Sequence, residues 1–287
     1  MIHEKAYAKI NVGLEIINKR KDGYHNLRSI MTSIELHDDL FMRLNDEIIV
    51  ECDKDICRQE DNLVYKVALI MKNRFSVKLG AKIYIAKNIR PGAGMAGGST
   101  NAAAAIRGLN KLWDLNLSTN EMYQIAKDIG SDVAFCLEGE TAIVEGVGDI
   151  ITTIPYDMDC YIVLIYPSYT CSTATVFKNF KGSTQNQRYE NLHKGFITND
   201  VSKYAEYLFN DLEETVDIIA NKNGNVTPTA IKQKLIEAGA LGASMTGSGS
   251  TVYGLTTNYK DAERISKEVT SFYPNFNFDI IQQKRKR

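Results

Sequence analysis

Residues 82–109, KIYIAKNIRPGAGMAGGSTNAAAAIRGL, constrain this chain more than any other stretch. Lys82–Ala86 alternates as a strand does, a loop follows, and the alanine-rich run after it is comfortable only as a helix. Gly92, Gly94, Gly97 and Gly98 fall within seven residues, closed by Ser99 and Thr100. Glycine admits positive φ and lets a ligand approach the backbone closely. Directly before a helix, such a loop aims unpaired N–H groups and the positive end of the helix dipole at one point. That arrangement holds a phosphate. A flexible surface loop with a capped helix is the competing reading, but one capping residue suffices to start a helix and four clustered glycines are not needed for it.

Three motif readings compete for the loop. Gly92-Ala-Gly94-Met-Ala-Gly97 matches GxGxxG, the dinucleotide fingerprint, yet Lys87–Pro91 separates strand from glycines. The fingerprint also wants an acidic residue about 20 positions on, and Asp114, at a helix end, is the one candidate nearby. The same residues approach the P-loop GxxxxGK[ST] but place Gly98 where its lysine should stand. The protein-kinase signature set is absent. What survives is a glycine-rich anion cradle that must recruit its cation from elsewhere. Lys9, inside the apolar strand-like segment AYAKINVGLEI, is the candidate.

With 287 residues, 44% hydrophobic and 24% charged, the chain has the make-up of a soluble globular protein of one large or two ordinary domains. A formal net charge of -1 gives no general attraction to nucleic acid or an anionic membrane, and the basic tail Lys284–Arg287 reads as a solvated end. The five cysteines form no CxxC pair, which argues against zinc and suits a reducing compartment. The first residues carry charge where a signal peptide needs an apolar core, and no run approaches 18 apolar residues. The expected location is cytoplasmic, without nucleic-acid or membrane partners, as a monomer or homodimer.

In chain order, His3–Ile17 alternates as a strand, and 19–29 is a turn built on Asp22-Gly23. Short strands are expected over 30–52, then a helix over Asp61–Arg74 capped by Asp61 or Asn62. The helix after the glycines should start near Ser99 and run to about Leu112. Another starts in the capping box Ser118–Glu121 and stops at Gly130. Strands follow near 140–154, a domain boundary near 155, and a buried strand over 160–167. Helices are predicted over 200–222 and over 228–238, where Pro228 takes the first helical position. A strand, a glycine loop and a strand occupy 240–256, then a helix Lys260–Phe272 and a strand near 277–282. The pattern is α+β in two halves, 1–155 and 156–287.

The segment KNIRPGAGMAGGSTNAA resembles the second motif of the GHMP small-molecule kinases, and Thr246-Gly247-Ser-Gly249-Ser-Thr251 resembles their third. AKIN (8–11), DGYH (22–25), AGGSTNAAAAIRGLNKLW (96–113), IGSDVAFCL (129–137), NDLE (210–213) and MTGSGSTVYG (245–254) fall in the family's order. Together they resemble the members that act on an alcohol bearing a cytidine diphosphate group. The resemblance implies an N-terminal α/β ATP-binding domain and a C-terminal ferredoxin-like α+β domain. It implies ATP held over Arg90, Pro91, Gly92, Ala93, Gly94, Met95, Ala96, Gly97, Gly98, Ser99 and Thr100, and the Ser99 and Thr100 hydroxyls could help hold Mg²⁺ with the phosphates, its other ligands being unassigned. Asp132 would take the proton from the acceptor hydroxyl, with Lys9 beside it to keep it ionised. Tyr24 and Phe177 would sandwich the cytosine, with His25 on its polar edge, Asn11 and Thr173 nearby, and Gly247 and Gly249 also on the substrate side.

Arg90-Pro91, Met95 and Thr100 depart from the family's usual residues, the last two conservatively. Locally, Asp132 could instead be an N-cap, Lys9 a snorkelling strand residue and Phe177 a core aromatic. Another kinase of the same family, of homoserine or mevalonate type, and a non-catalytic nucleotide-binding regulator remain open alternatives.

Overall fold

The computed structural model describes residues 1–182 and 187–284, so residues 285–287 of the basic tail lie outside the described residues. Two strands organise it. β1 (Ile2–Lys19) and β2 (His25–Asn45) are joined by a tight turn in which Gly23 takes φ +91°. In that turn the Gly23 N–H donates to the Arg20 carbonyl at 3.2 Å, and the Tyr24 N–H donates to Asp22 Oδ1 at 3.1 Å. Even positions of β1 from Ala6 to Ile16 are apolar and buried, as a two-residue period requires. Its odd positions Lys9, Asn11 and Glu15 are polar and buried as well. One face of the strand therefore builds core, and the other carries polar groups that need partners.

The chain divides into two compact units, one of residues 1–8, 36–91 and 96–139, the other of residues 9–35, 92–95 and 140–287. In the first unit, β4 (Gly80–Ala86) pairs antiparallel with β2 from Asp39↔Ala86 to Asn45↔Gly80, and β3 (Ile49–Cys52) pairs parallel with β4. Helices α1 (Leu63–Arg74), α2 (Gly97–Leu112), α3 (Thr119–Ile129) and α4 (Ser131–Glu138) pack on one another. Asn62 is the α1 cap, accepting from the Val64 N–H at 2.9 Å. Ser118 and Glu121 form the α3 capping box read from sequence. In α2 the small residues 102–105 are fully buried, so neighbouring helices approach its backbone closely.

In the second unit, β5 (Ala142–Gly146) pairs antiparallel with β2 from Leu27↔Gly146, and β6 (Ile150–Thr153) pairs with β5. A second, antiparallel sheet has the order β11-β7-β10-β9, from β7 (Tyr161–Tyr166), β9 (Gly242–Met245), β10 (Val252–Thr256) and β11 (Asn277–Gln282). It packs against α8 (Pro228–Glu237) and α9 (Tyr259–Phe272). Thr227 caps α8, with Pro228 in its first turn as predicted. α5 (Thr173–Asn179) and α6 (Arg188–Phe196) precede a region that departs from expectation.

The helix predicted over 200–222 is instead two 3-10 turns, Val201–Lys203 and Ala205–Tyr207, a short β8 (Phe209–Asn210) and α7 (Glu213–Lys222). Val201, Tyr204, Ala205 and Leu208 are buried at helical spacing, which is the signal that misleads. Tertiary bonds override it. β8 pairs parallel with β1 at Gly13↔Phe209, and Asp211 Oδ2 accepts from the Ile16 N–H at 2.8 Å.

Candidate active site

Alternation along β1 puts Lys9 and Asn11 on one face, and the Lys9 ammonium donates to Asn11 Oδ1 at 2.7 Å. The same oxygen accepts from the Gly247 N–H at 3.0 Å. Asn11 Nδ2 donates to Ser29 Oγ at 2.8 Å, and the Asn11 N–H donates to Thr246 Oγ1 at 3.2 Å. Lys9 is 3% exposed, so it does not snorkel from a strand edge. Asn11, expected near the cytosine, is the tie between this lysine and the loop after β9.

That loop also meets the first glycine run. Thr246 Oγ1 donates to the Gly94 carbonyl at 3.3 Å, and the Lys9 N–H donates to the Met95 carbonyl at 3.3 Å. Gly94 has φ +76°, and a Cβ there would stand 2.3 Å from the Thr246 carbonyl oxygen. No other residue fits. Gly247, at φ +56°, is bound by the same approach from the other side, since a Cβ there would stand 2.5 Å from the Gly94 carbonyl oxygen. Gly249 has φ +78°, and its N–H donates to the Thr246 carbonyl at 3.0 Å. Ala93 and Met95 are buried and anchor the run, Gly92 is exposed, and Arg90 and Pro91 before it are exposed.

In the first unit, Ala96 takes φ +58° and serves as the N-cap of α2 without a side-chain bond. The helix starts at Gly97, two residues before the expected start at Ser99. The N–H groups of Gly97, Gly98 and Ser99 therefore have no intrahelical acceptor, whereas the Thr100 N–H bonds to the Ala96 carbonyl at 2.9 Å. The Thr100 hydroxyl is buried and donates to the Gly97 carbonyl at 3.0 Å. Three amides without an intrahelical acceptor, at the dipole's positive end, are suited to an anion.

The sequence reading missed what holds this helix start. Lys87, Asp38 and Asn101 form a buried cluster in which the Lys87 ammonium donates to Asp38 Oδ2 and, at 3.1 Å, to Asn101 Oδ1. Asn101 Nδ2 donates to Asp38 Oδ2 at 2.8 Å, and Asp38 Oδ1 accepts from the Asn88 and Ile89 N–H groups. A lysine does stand next to the cradle, its Nζ 3.3 Å from where a Gly97 Cβ would be, but its charge is engaged by Asp38. Adjacency in space could not be seen from positions about 50 residues apart.

Asp132 is half-buried in the first turn of α4, whose N-cap is Gly130. It is not a capping residue, and the helix dipole favours its negative charge. Arg107 on α2 fixes α4 from behind, with Nη1 donating to the Cys136 and Leu137 carbonyls at 3.2 and 3.4 Å.

In the second unit, His25 is buried against Phe177, with ring centroids 5.4 Å apart, and meets Phe180 edge-on at 6.0 Å. Burial first, and then the charge of Lys19, lower the His25 pKa below the ordinary imidazole value, which favours the neutral ring. Tyr24 is 68% exposed beside it in the turn. Phe177 is half-buried, not a core residue. Phe180 had no signal in the sequence beyond being aromatic. Thr173 opens α5, and its hydroxyl shares a hydrogen bond with Ser248 Oγ at 2.8 Å, which brings it to the glycine loop after β9.

The description "GHMP kinases N terminal domain" matches residues 62–140, and "GHMP kinases C terminal" matches residues 228–275. A 4-diphosphocytidyl-2-C-methyl-D-erythritol kinase of Listeria innocua is 40% identical over 93% of this chain and 91% of its own. The chain belongs to the GHMP kinase family. A kinase of the same name from Acetivibrio thermocellus is 42% identical over 90% of this GHMP kinase and 91% of its own length. The fold matches a crystal structure of 4-(cytidine 5'-diphospho)-2C-methyl-D-erythritol kinase with TM-score 0.79 at 23% identity, over 98% and 99% of the two chains. It matches a homoserine kinase from Cytophaga hutchinsonii with TM-score 0.73 at 18% identity, over 96% and 94%. GHMP kinases are ATP-dependent phosphotransferases, and this member is an enzyme of that kind.

Proposed function

We propose that this GHMP kinase transfers the γ-phosphoryl group of ATP to a hydroxyl of 4-diphosphocytidyl-2-C-methyl-D-erythritol, a step of isoprenoid precursor synthesis. The observation that carries this reading is identity of about two residues in five to kinases of that name over nine-tenths of the chain. Phosphoryl transfer asks the protein for positioning and charge neutralisation more than for covalent chemistry. The free amides of Gly97, Gly98 and Ser99 at the start of α2 would take the nucleotide phosphates, with Gly92–Met95 leading in. Asp132 accepts the proton of the attacking hydroxyl, and the Lys9 ammonium neutralises the charge that develops there.

His25, Phe177 and Tyr24 suit a cytosine: a half-buried aromatic face, an exposed aromatic able to close on it, and a neutral imidazole for its polar edge. Mg²⁺ fits at the Ser99 hydroxyl better than at that of Thr100, which already donates to Gly97. Among the described residues no group of three His, Cys, Asp or Glu side chains could hold a metal ion. When bound, it would add positive charge against the phosphates. The two family matches, over residues 62–140 and 228–275, lie on either side of residue 155.

The test is ADP release with this substrate, mevalonate and homoserine in parallel. Turnover with either of the last two in preference to the first would defeat the reading. Asp132→Asn should lower kcat by roughly 10² or more while ATP affinity stays within about threefold, because it removes a base and not the cradle. Near wild-type kcat in that variant would remove Asp132 from the mechanism.

A further inference from the structure

The NDLE block at 210–213 has no place in the proposed chemistry, yet its first residue is buried and fully bonded. Asn210 Nδ2 donates one hydrogen to the Met245 carbonyl and the other to the Gly247 carbonyl, both at 2.8 Å. Its Oδ1 accepts from the Leu212 N–H at 3.0 Å, which fixes the amide's orientation. β8, which carries Asn210, is in turn tied to β1 at Leu14↔Asn210. The asparagine thus clamps the entry of the loop after β9 from a rigid strand.

The clamp reaches further than the loop. Gly247 donates to the Asn11 oxygen that receives the Lys9 ammonium, and Thr246 bonds to both the Asn11 N–H and the Gly94 carbonyl. We propose that Asn210 is a positioning residue for the phosphoryl transfer, setting the Lys9 ammonium through Gly247 and Asn11. The inference rests on the assignment of Lys9 above. Two donors are needed on one side chain, each aimed at a carbonyl. Asparagine offers both, whereas an isosteric aspartate would turn one acceptor oxygen towards both carbonyls.

Asn210→Asp and the milder Asn210→Ser, which puts a single hydroxyl donor in place of the amide, test this in the full chain. Expected are a kcat lowered roughly 10- to 100-fold in Asn210→Asp, less in Asn210→Ser, and KM values for ATP and acceptor within about twofold. A purely structural role would instead lower the melting temperature and leave kcat per folded enzyme unchanged. Amide and lysine-ammonium NMR gives a readout that needs no activity: the Gly247 N–H and Lys9 Nζ resonances should both move in the variants. Unmoved resonances, or a kcat within about twofold of wild type for Asn210→Asp, would overturn the proposal. Should Asn210→Asp fail to fold, the Asn210→Ser kcat and resonances decide alone. If the wild-type enzyme leaves the cytidine substrate untouched, the functional reading falls, and the Lys9 resonance still decides this one.

Discussion

At the scale of single residues, two buried polar groups bear on stability in different ways. His25 is held neutral by burial, with its pKa below the ordinary imidazole value of 6.5. The unfolded chain then binds the proton more readily than the folded one, so His25 contributes stability above about pH 6.5 that is lost as pH falls through its depressed value. Urea midpoints at pH 7.5 and 5.5 should therefore fall further on acidification in the wild type than in His25→Gln. Equal falls would show that the ring is free to charge in place. Asp38 is buried and paired with the Lys87 ammonium. Asp38→Leu leaves the Lys87 ammonium buried without its partner, at a cost of about 3–5 kcal/mol, and Asp38→Leu with Lys87→Met should recover part of it. A double variant no more stable than the single would refute the pairing. Of these residues, His25 could be read from its neighbours in DGYH, while Asp38 and Lys87 could not. A motif is local, and their bond spans 49 positions.

At the scale of elements, chemistry carried by a few adjacent residues was legible. Ser118–Glu121 started α3, Thr227-Pro228 started α8, and β11 spans 277–282 as expected. The helix over 200–222 failed because Asn210 and Asp211 bond to distant backbone, which no periodicity records. The glycine run divides on the same principle. Gly94 sits at positive φ against backbone, so Gly94→Ala meets a left-handed cost of roughly 1–2 kcal/mol plus a collision that must displace the loop. Its kcat/KM for ATP should fall more than about tenfold. Gly98 lies inside α2, and a Cβ there would meet nothing outside its own helix nearer than Leu63 Cδ1, at 3.6 Å. Gly98→Ala should therefore match or raise the melting temperature, since alanine is the better helix former by about 0.5–1 kcal/mol. It should nevertheless raise KM for ATP, because the methyl stands beside an amide of the cradle. A melting temperature lowered in Gly98→Ala, or unaffected kinetics in Gly94→Ala, would contradict this division.

At the scale of the whole molecule, the α+β class and the order of the family blocks were plain in the sequence, whereas the course of the chain was not. The chain passes from one compact unit to the other after residues 8, 35, 91, 95 and 139. Cutting it near 155 would separate partners within the second unit. β1 would lose β8, its parallel neighbour at Gly13 and Leu14, and the buried Asn11 would lose Thr246 and Gly247. Gly94 would lose the loop against which it is packed. Each buried polar group left without a partner costs about 1–3 kcal/mol, against a typical total stability of about 5–15 kcal/mol. A fragment of residues 1–155 should therefore show no cooperative thermal transition by circular dichroism and no dispersed amide spectrum. Supplying residues 156–287 as a second chain should restore both, together with kinase activity. A fragment that melts cooperatively alone would mean that the first half supports itself without β8 and the loop after β9, and that the loop's bonds to Asn11 serve the chemistry and not the fold.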